Sequence, residues 1–167
     1  VGGCVADLWQ GVSALLALFP QLEGHVGYSG ISLGGGVGAL AIPWDGRIQR
    51  GHLMLPTFGH YPLRLSLPSV GSLAAVRAYQ ERCGGDVLET LKYYDAASAA
   101  RFITIPMLIG AALFDPAVPP PGQFAIYNAL RNRKTLFIFD AGHFDYAGQA
   151  SQNRRHLQQT TDFFATL

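Results

Sequence analysis

The chain has 167 residues, 49% of them apolar and only 14% charged, with a net charge of +1. That bounds it to one buried core, and the absence of a basic stripe argues against a nucleic-acid footprint. Its two cysteines, Cys4 and Cys83, make neither a metal-ligand spacing nor a disulfide framework, and no apolar run approaches the ~18–20 residues of a bilayer span.

Helical and strand-like patterns alternate along the chain. Val5, Leu8, Trp9, Val12, Leu15, Leu16 and Phe19 recur every third or fourth residue, an amphipathic helix stopped by Pro20. His25 to Ser29 is a short strand, followed by Gly30-Ile31-Ser32-Leu33-Gly34 and a helix of small residues that ends near Pro43. Gly51 to Leu55 is a second strand. Ser72 to Cys83 is a helix with Ser72 as cap and Gly84 as stop, and Val87 to Tyr94 is a shorter one. Ile103 to Phe114 is a third strand, apolar on both faces from Met107 onward, as a strand covered by helices requires. Gly122 to Arg131 is helical, Thr135 to Phe139 is the fourth strand, and Gln152 to Phe164 closes the chain as a helix. Strands joined by helices predict a three-layer α/β fold: a mostly parallel sheet of about four strands flanked by helices, in a single domain over 1–167.

Ser32 sits between a strand and a helix, with Gly30 and Gly34 two positions to either side. This is the pattern of a nucleophile elbow, a turn whose positive-φ apex lifts the serine hydroxyl clear of the sheet. Side chains at the flanking positions would collide, which calls for glycine at both. The bland alternative is a glycine-rich turn with a solvated serine. Gly36-Val37-Gly38-Ala39-Leu40-Ala41 also fits a dinucleotide fingerprint, but these glycines start inside the helix. No Asp or Glu stands near the required distance downstream. Tight helix–strand packing accounts for them better.

Two further groups follow strand ends. Asp115 comes directly after Phe114, and His143 lies on the loop after the fourth strand. The carboxyl ends of parallel strands are where such sheets place functional groups. The order Ser32, Asp115, His143 is that of the α/β-hydrolases. A neutral imidazole can take the serine proton during attack, and a buried carboxylate fixes its tautomer. The backbone N–H of Leu33 is the matching oxyanion donor. Asp140 and Asp145 flank His143 on its own loop, and Asp95 reads as a helix cap. His52 and His60 bracket the second strand as cleft, core or surface residues; His25 and His156 receive no role.

From Gly24 onward the sequence resembles the acetyl xylan esterase / cephalosporin C deacetylase family of carbohydrate esterases (carbohydrate esterase family 7), within the α/β-hydrolase superfamily. The resemblance rests on Gly30-Ile31-Ser32-Leu33-Gly34-Gly35-Gly36, Glu89-Thr90-Leu91-Lys92-Tyr93-Tyr94-Asp95-Ala96, Leu113-Phe114-Asp115, Pro119-Pro120, Ala125-Ile126-Tyr127-Asn128 and Gly142-His143. It implies Ser32 as nucleophile, Asp115 as orienting acid, His143 as base and Leu33 N–H as oxyanion donor. It also implies hydrolysis of short acetyl esters, such as those of acetylated xylo-oligosaccharides, with no metal or other cofactor. The expected partner is thus a small acetyl ester or acetylated sugar, and a hexamer is frequent in the family. A cytoplasmic location is favoured.

Because only one helix precedes the elbow strand, the resemblance marks the chain as the C-terminal portion of a longer protein. The second oxyanion donor is then expected outside it, so that the portion alone is weakly active or inactive. Two positions depart from the family pattern: Leu33 stands where members usually carry Gln, and Phe144 where they usually carry Glu. The alternatives are a peptidase or thioesterase on the same fold, or a scaffold with a decayed site.

Overall fold

Val26–Ile31 (β1), Ile48–Met54 (β2), Met107–Phe114 (β3) and Lys134–Ala141 (β4) form one sheet in the order β1-β2-β3-β4, all neighbours parallel. This is seen in a computed structural model that describes residues 1–167. Parallel neighbours need crossover connections, and helices supply them. Gly2–Leu18 (α1) precedes the sheet, and Leu33–Ala41 (α2) joins β1 to β2. Between β2 and β3 run Tyr61–Leu65 (α3), Ser72–Cys83 (α4), Val87–Leu91 (α5) and Ala96–Ala100 (α6). Pro120–Ala129 (α7) joins β3 to β4, and Gln149–Phe164 (α8) closes the chain.

The main core lies between the sheet and the layer of α1, α2, α6 and α7; Leu40, Ile48, Leu53, Met107, Ile109 and Ile126 fill it. Small residues let α2 lie tight on β1: a Cβ added at Gly38 would stand 2.2 Å from the Tyr28 ring. These glycines are therefore packing residues inside a helix. The opposite face of the sheet carries α8, against a smaller cluster of Leu55, Ala112 and Phe139. No helix is long and apolar enough to cross a membrane.

Most element boundaries shift from expectation by a few residues, for visible reasons. β2 starts at Ile48 rather than Gly51 because Arg50, although polar, is used within the strand. Its guanidinium donates to the Phe163 and Thr166 carbonyls at the end of α8 (2.8 and 3.1 Å). β3 starts at Met107 because Pro106 has no N–H for the ladder. α7 starts at Pro120, a residue suited to a first helical position, and not at Gly122. α4 begins at Ser72 itself with Gly71 at the cap position, and Gly84 (φ 67°) ends it as expected. The helix expected over 87–94 is α5 followed by a 3₁₀ turn, Lys92–Tyr94. Asp95 does cap α6, accepting from Ser98 N–H at 2.7 Å, and also holds Tyr61 N–H at 2.8 Å. α3 had no signal in the apolar pattern.

On the α8 face, His52 and His156 meet Nε2 to Nε2 at 3.1 Å, and His52 Nδ1 lies 2.9 Å from the Ser29 hydroxyl. Both rings are buried, and Phe137 and Phe139 pack on His156. Burial, with the neighbouring His156, pushes His52 from 6.5 down to about 4; burial lowers His156 as well. One proton between two facing nitrogens makes a hydrogen bond, whereas a second sets two N–H groups head to head. A folded-state pKa below the unfolded value means stability that is complete above about pH 6.5 and is lost as pH falls toward 4. The expected loss is on the order of 2–3 kcal/mol. Urea midpoints measured across that window should fall in the wild type and stay nearly flat in His52→Leu/His156→Leu.

Candidate active site

Ser32 occupies the single residue between β1 and α2, at φ 53° and ψ −109°. A non-glycine residue there is strained, and the surroundings hold it. Its N–H donates to the Met54 carbonyl at the end of β2 (2.8 Å), and its carbonyl accepts from Gly36 and Thr57 N–H (3.0 and 3.2 Å). Gly30 is required by close approach, since a Cβ would lie 2.6 Å from the Gly34 carbonyl group. The expectation for Gly34 is corrected. A Cβ there would meet only the Tyr28 hydroxyl, at an ordinary 3.6 Å. The crowding is one-sided because the missing Gly30 side chain would point at the Gly34 backbone, and the reverse direction is open. Tyr28 donates its hydroxyl to the Gly34 carbonyl at 2.7 Å and so ties the turn to β1.

Leu33 opens α2, and the first bond of that turn runs from Gly36 N–H to the Ser32 carbonyl. The Leu33 N–H thus belongs to the orphan donors of a helix start, with the positive end of the helix dipole beside Ser32.

Asp115 follows β3, and its side chain is fully buried. Oδ1 accepts from Ala117 and Val118 N–H, both at 2.9 Å. Oδ2 accepts from the Gln123 amide at 3.1 Å and faces His143 Nδ1 at 2.7 Å. His143 follows β4 at φ 59°, another strained non-glycine position. Gly142 N–H donates to the Phe114 carbonyl at 2.8 Å, which draws the histidine loop onto the end of β3. His143 Nε2 lies 2.8 Å from Ser32 Oγ. An ionised carboxylate can only accept, so Nδ1 carries the ring proton and Nε2 accepts from the serine hydroxyl.

The structure therefore gathers Ser32, His143 and Asp115 into one hydrogen-bonded line across the carboxyl ends of β1, β3 and β4. The other titratable groups go elsewhere. Neither the Asp140 nor the Asp145 side chain bonds His143. Asp95 caps α6, and His60 caps α3 by accepting from Leu63 N–H at 3.2 Å. His52 and His156 pair on the far face, and His25 bonds the Glu23 carbonyl at the surface. No group of three or more His, Cys, Asp or Glu side chains is placed to hold a metal ion. Gln123, which grips Asp115, escaped the sequence reading, because a glutamine early in a helix ordinarily faces solvent.

The rim around the line is apolar. Leu33, Phe114 and Phe144 are exposed, and the Phe114 and Phe144 rings meet edge to face at 5.5 Å. Phe144 is thus packed on the residue before Asp115. A cleft of about 330 Å³ adjoins His143, lined by Ile31, Met54, Leu55, Phe144 and Tyr146 among others.

A family model described as acetyl xylan esterase (AXE1) matches residues 6–161. Among solved structures, the acetyl xylan esterase from Paenibacillus sp. R4 superposes with a TM-score of 0.72 at 24% identity, over 82% of this chain and 43% of that one. Acetyl xylan esterase 1 from Thermoanaerobacterium sp. JW/SL YS485 gives 0.68 at 20%, over 85% and 45%. The acylaminoacyl peptidase of Pyrococcus horikoshii gives 0.79 at 18%, over 96% and 27%. At such identities the likeness is one of fold, the α/β-hydrolase fold, and the chain spans less than half the length of each of these proteins.

Proposed function

The chain belongs to the acetyl xylan esterase family, and from that membership we propose that the whole protein is a serine carboxylesterase acting on short-chain, chiefly acetyl, esters of carbohydrates such as xylo-oligosaccharides. The observation that carries this reading is the continuous line Ser32 Oγ, His143 Nε2, His143 Nδ1, Asp115 Oδ2, with polar contacts of 2.8 and 2.7 Å.

In this reading Ser32 Oγ attacks the ester carbonyl as its proton passes to His143 Nε2. Asp115 Oδ2 accepts from Nδ1–H and stabilises the imidazolium that forms. The developing oxyanion is met by Leu33 N–H at the start of α2. Collapse breaks the C–O bond to the alcohol, which leaves with the proton from Nε2. A water then gives its proton to His143 and attacks the acyl-enzyme, which releases acetate and restores Ser32. A second oxyanion donor is expected from the part of the relatives' length that this chain does not span.

A peptidase is the second reading, favoured by the TM-score of 0.79 to the acylaminoacyl peptidase over 96% of this chain. Substrate ranking in the full protein separates the two. Comparing kcat/KM for an acetylated xylo-oligosaccharide, 4-nitrophenyl acetate, the matching octanoate and an N-acylated peptide should put both acetates first. A peptide substrate in first place would replace the esterase reading with the peptidase one.

A further inference from the structure

We infer that Gln123 is a positioning residue for the proposed reaction, holding the Asp115 carboxylate in the orientation that serves His143. The inference rests on the esterase reading above and adds a residue to it.

Gln123 lies in the first turn of α7 and is 0% exposed. Every polar atom of its amide is used. Oε1 accepts from Ala112 N–H of β3 at 2.9 Å, and Nε2 donates to the Val118 carbonyl at 2.7 Å and to Asp115 Oδ2 at 3.1 Å. The bond to Ala112 anchors the amide to the sheet, and the two donors grip the Asp115 loop from that anchor. The contacts on the other carboxylate oxygen are of a different kind. Ala117 and Val118 N–H reach Oδ1 from Asp115's own loop, so they move with it. Rotation about the terminal bond of an aspartate is soft. Within the bonds Asp115 makes, Gln123 alone ties Oδ2 to a rigid element independently of His143. Because its N–H shares Oδ2 with His143 Nδ1, Gln123 acts on the imidazole through the carboxylate and does not touch the reacting atoms.

The test is the pH dependence of kcat/KM for 4-nitrophenyl acetate in the full protein, with Gln123→Glu, Gln123→Met and Ser32→Ala beside the wild type. At low pH the carboxyl introduced by Gln123→Glu is protonated, can still donate to Asp115, and should sustain a rate close to the wild type's. As pH rises it ionises against a second carboxylate, a juxtaposition that raises one pKa of the pair strongly. Activity should then fall by at least about tenfold toward alkaline pH, over a range where the wild-type rate is level or rising. Gln123→Met fills the space without a donor; kcat should drop about tenfold with KM little changed.

A Gln123→Glu profile parallel to the wild type, with only the melting temperature altered, would overturn the inference. If Gln123→Glu does not fold, a folded Gln123→Met with wild-type kcat overturns it instead. Ser32→Ala keeps the two claims apart. An active Ser32→Ala removes the esterase mechanism itself, whereas an inactive one beside an unchanged Gln123→Glu profile removes only the role given to Gln123.

Discussion

Ser32→Ala in the full protein is expected to lower kcat for acetyl ester hydrolysis by on the order of 10⁶, leaving only residual turnover from binding and the oxyanion donor. The substitution removes one oxygen atom and little else. The Ser32 side chain makes a single polar contact, the 2.8 Å contact with His143 Nε2. Its backbone is held by bonds to Met54, Gly36 and Thr57 that an alanine keeps. Alanine at φ 53° carries no more strain than serine in the same conformation. The melting temperature should therefore change by no more than a few degrees while turnover collapses. A loss of activity accompanied by unfolding would be a stability effect and would say nothing about the nucleophile.

Asp115→Asn is expected to cost about 10⁴-fold in kcat, through the tautomer of His143. The geometry forces this outcome. Two backbone N–H groups point at the Oδ1 position, so the amide oxygen of the variant must sit there. The amide nitrogen then falls at the Oδ2 position, facing His143 Nδ1 and the Gln123 amide. A donor opposite Nδ1 makes that nitrogen the acceptor and moves the ring proton to Nε2. The ring then offers Ser32 a donor and has no lone pair to take its proton. The variant also sets two NH₂ groups against each other, so its melting temperature should fall, and kcat must be compared well below that midpoint. Retention of wild-type kcat in a folded Asp115→Asn protein would remove Asp115 from the mechanism.

Some parts of the candidate site are exposed by the sequence, and others are not. The placement of Ser32, Asp115 and His143 just past strand ends is legible because a mostly apolar run precedes each, and parallel sheets present chemistry at their carboxyl ends. Gly30 was legible for the right reason, and Gly34 for a reason the structure does not support. The clash depends on which way a missing Cβ would point, and spacing alone does not carry that direction. Gln123 was invisible because its partners, Ala112, Val118 and Asp115, become neighbours only when the loop folds back over β3. The same holds for the His52–His156 pair, whose members stand 104 residues apart.

The fold shows a parallel contrast. The alternation of strands and helices is a local property and was readable, as was the end of α4 at Gly84. The start of β2 was not, because Gln49 and Arg50 are polar and Arg50 belongs in a strand only when the end of α8 lies over it to receive its guanidinium. The short α3 depends on His60 at φ 54° and on Asp95 from a distant turn, neither of which an apolar pattern reports.

If the proposed mechanism holds, an acyl group passes through Ser32, and acid quenching of the full protein during steady-state turnover of an excess acetyl ester would trap it there. After digestion and mass spectrometry, an acetyl group is expected on the peptide holding Ser32, localised to that side chain and absent when the ester is omitted. Sustained ester turnover with Ser32 unmodified, or with the acetyl group found on another residue, would rule out Ser32 as the nucleophile.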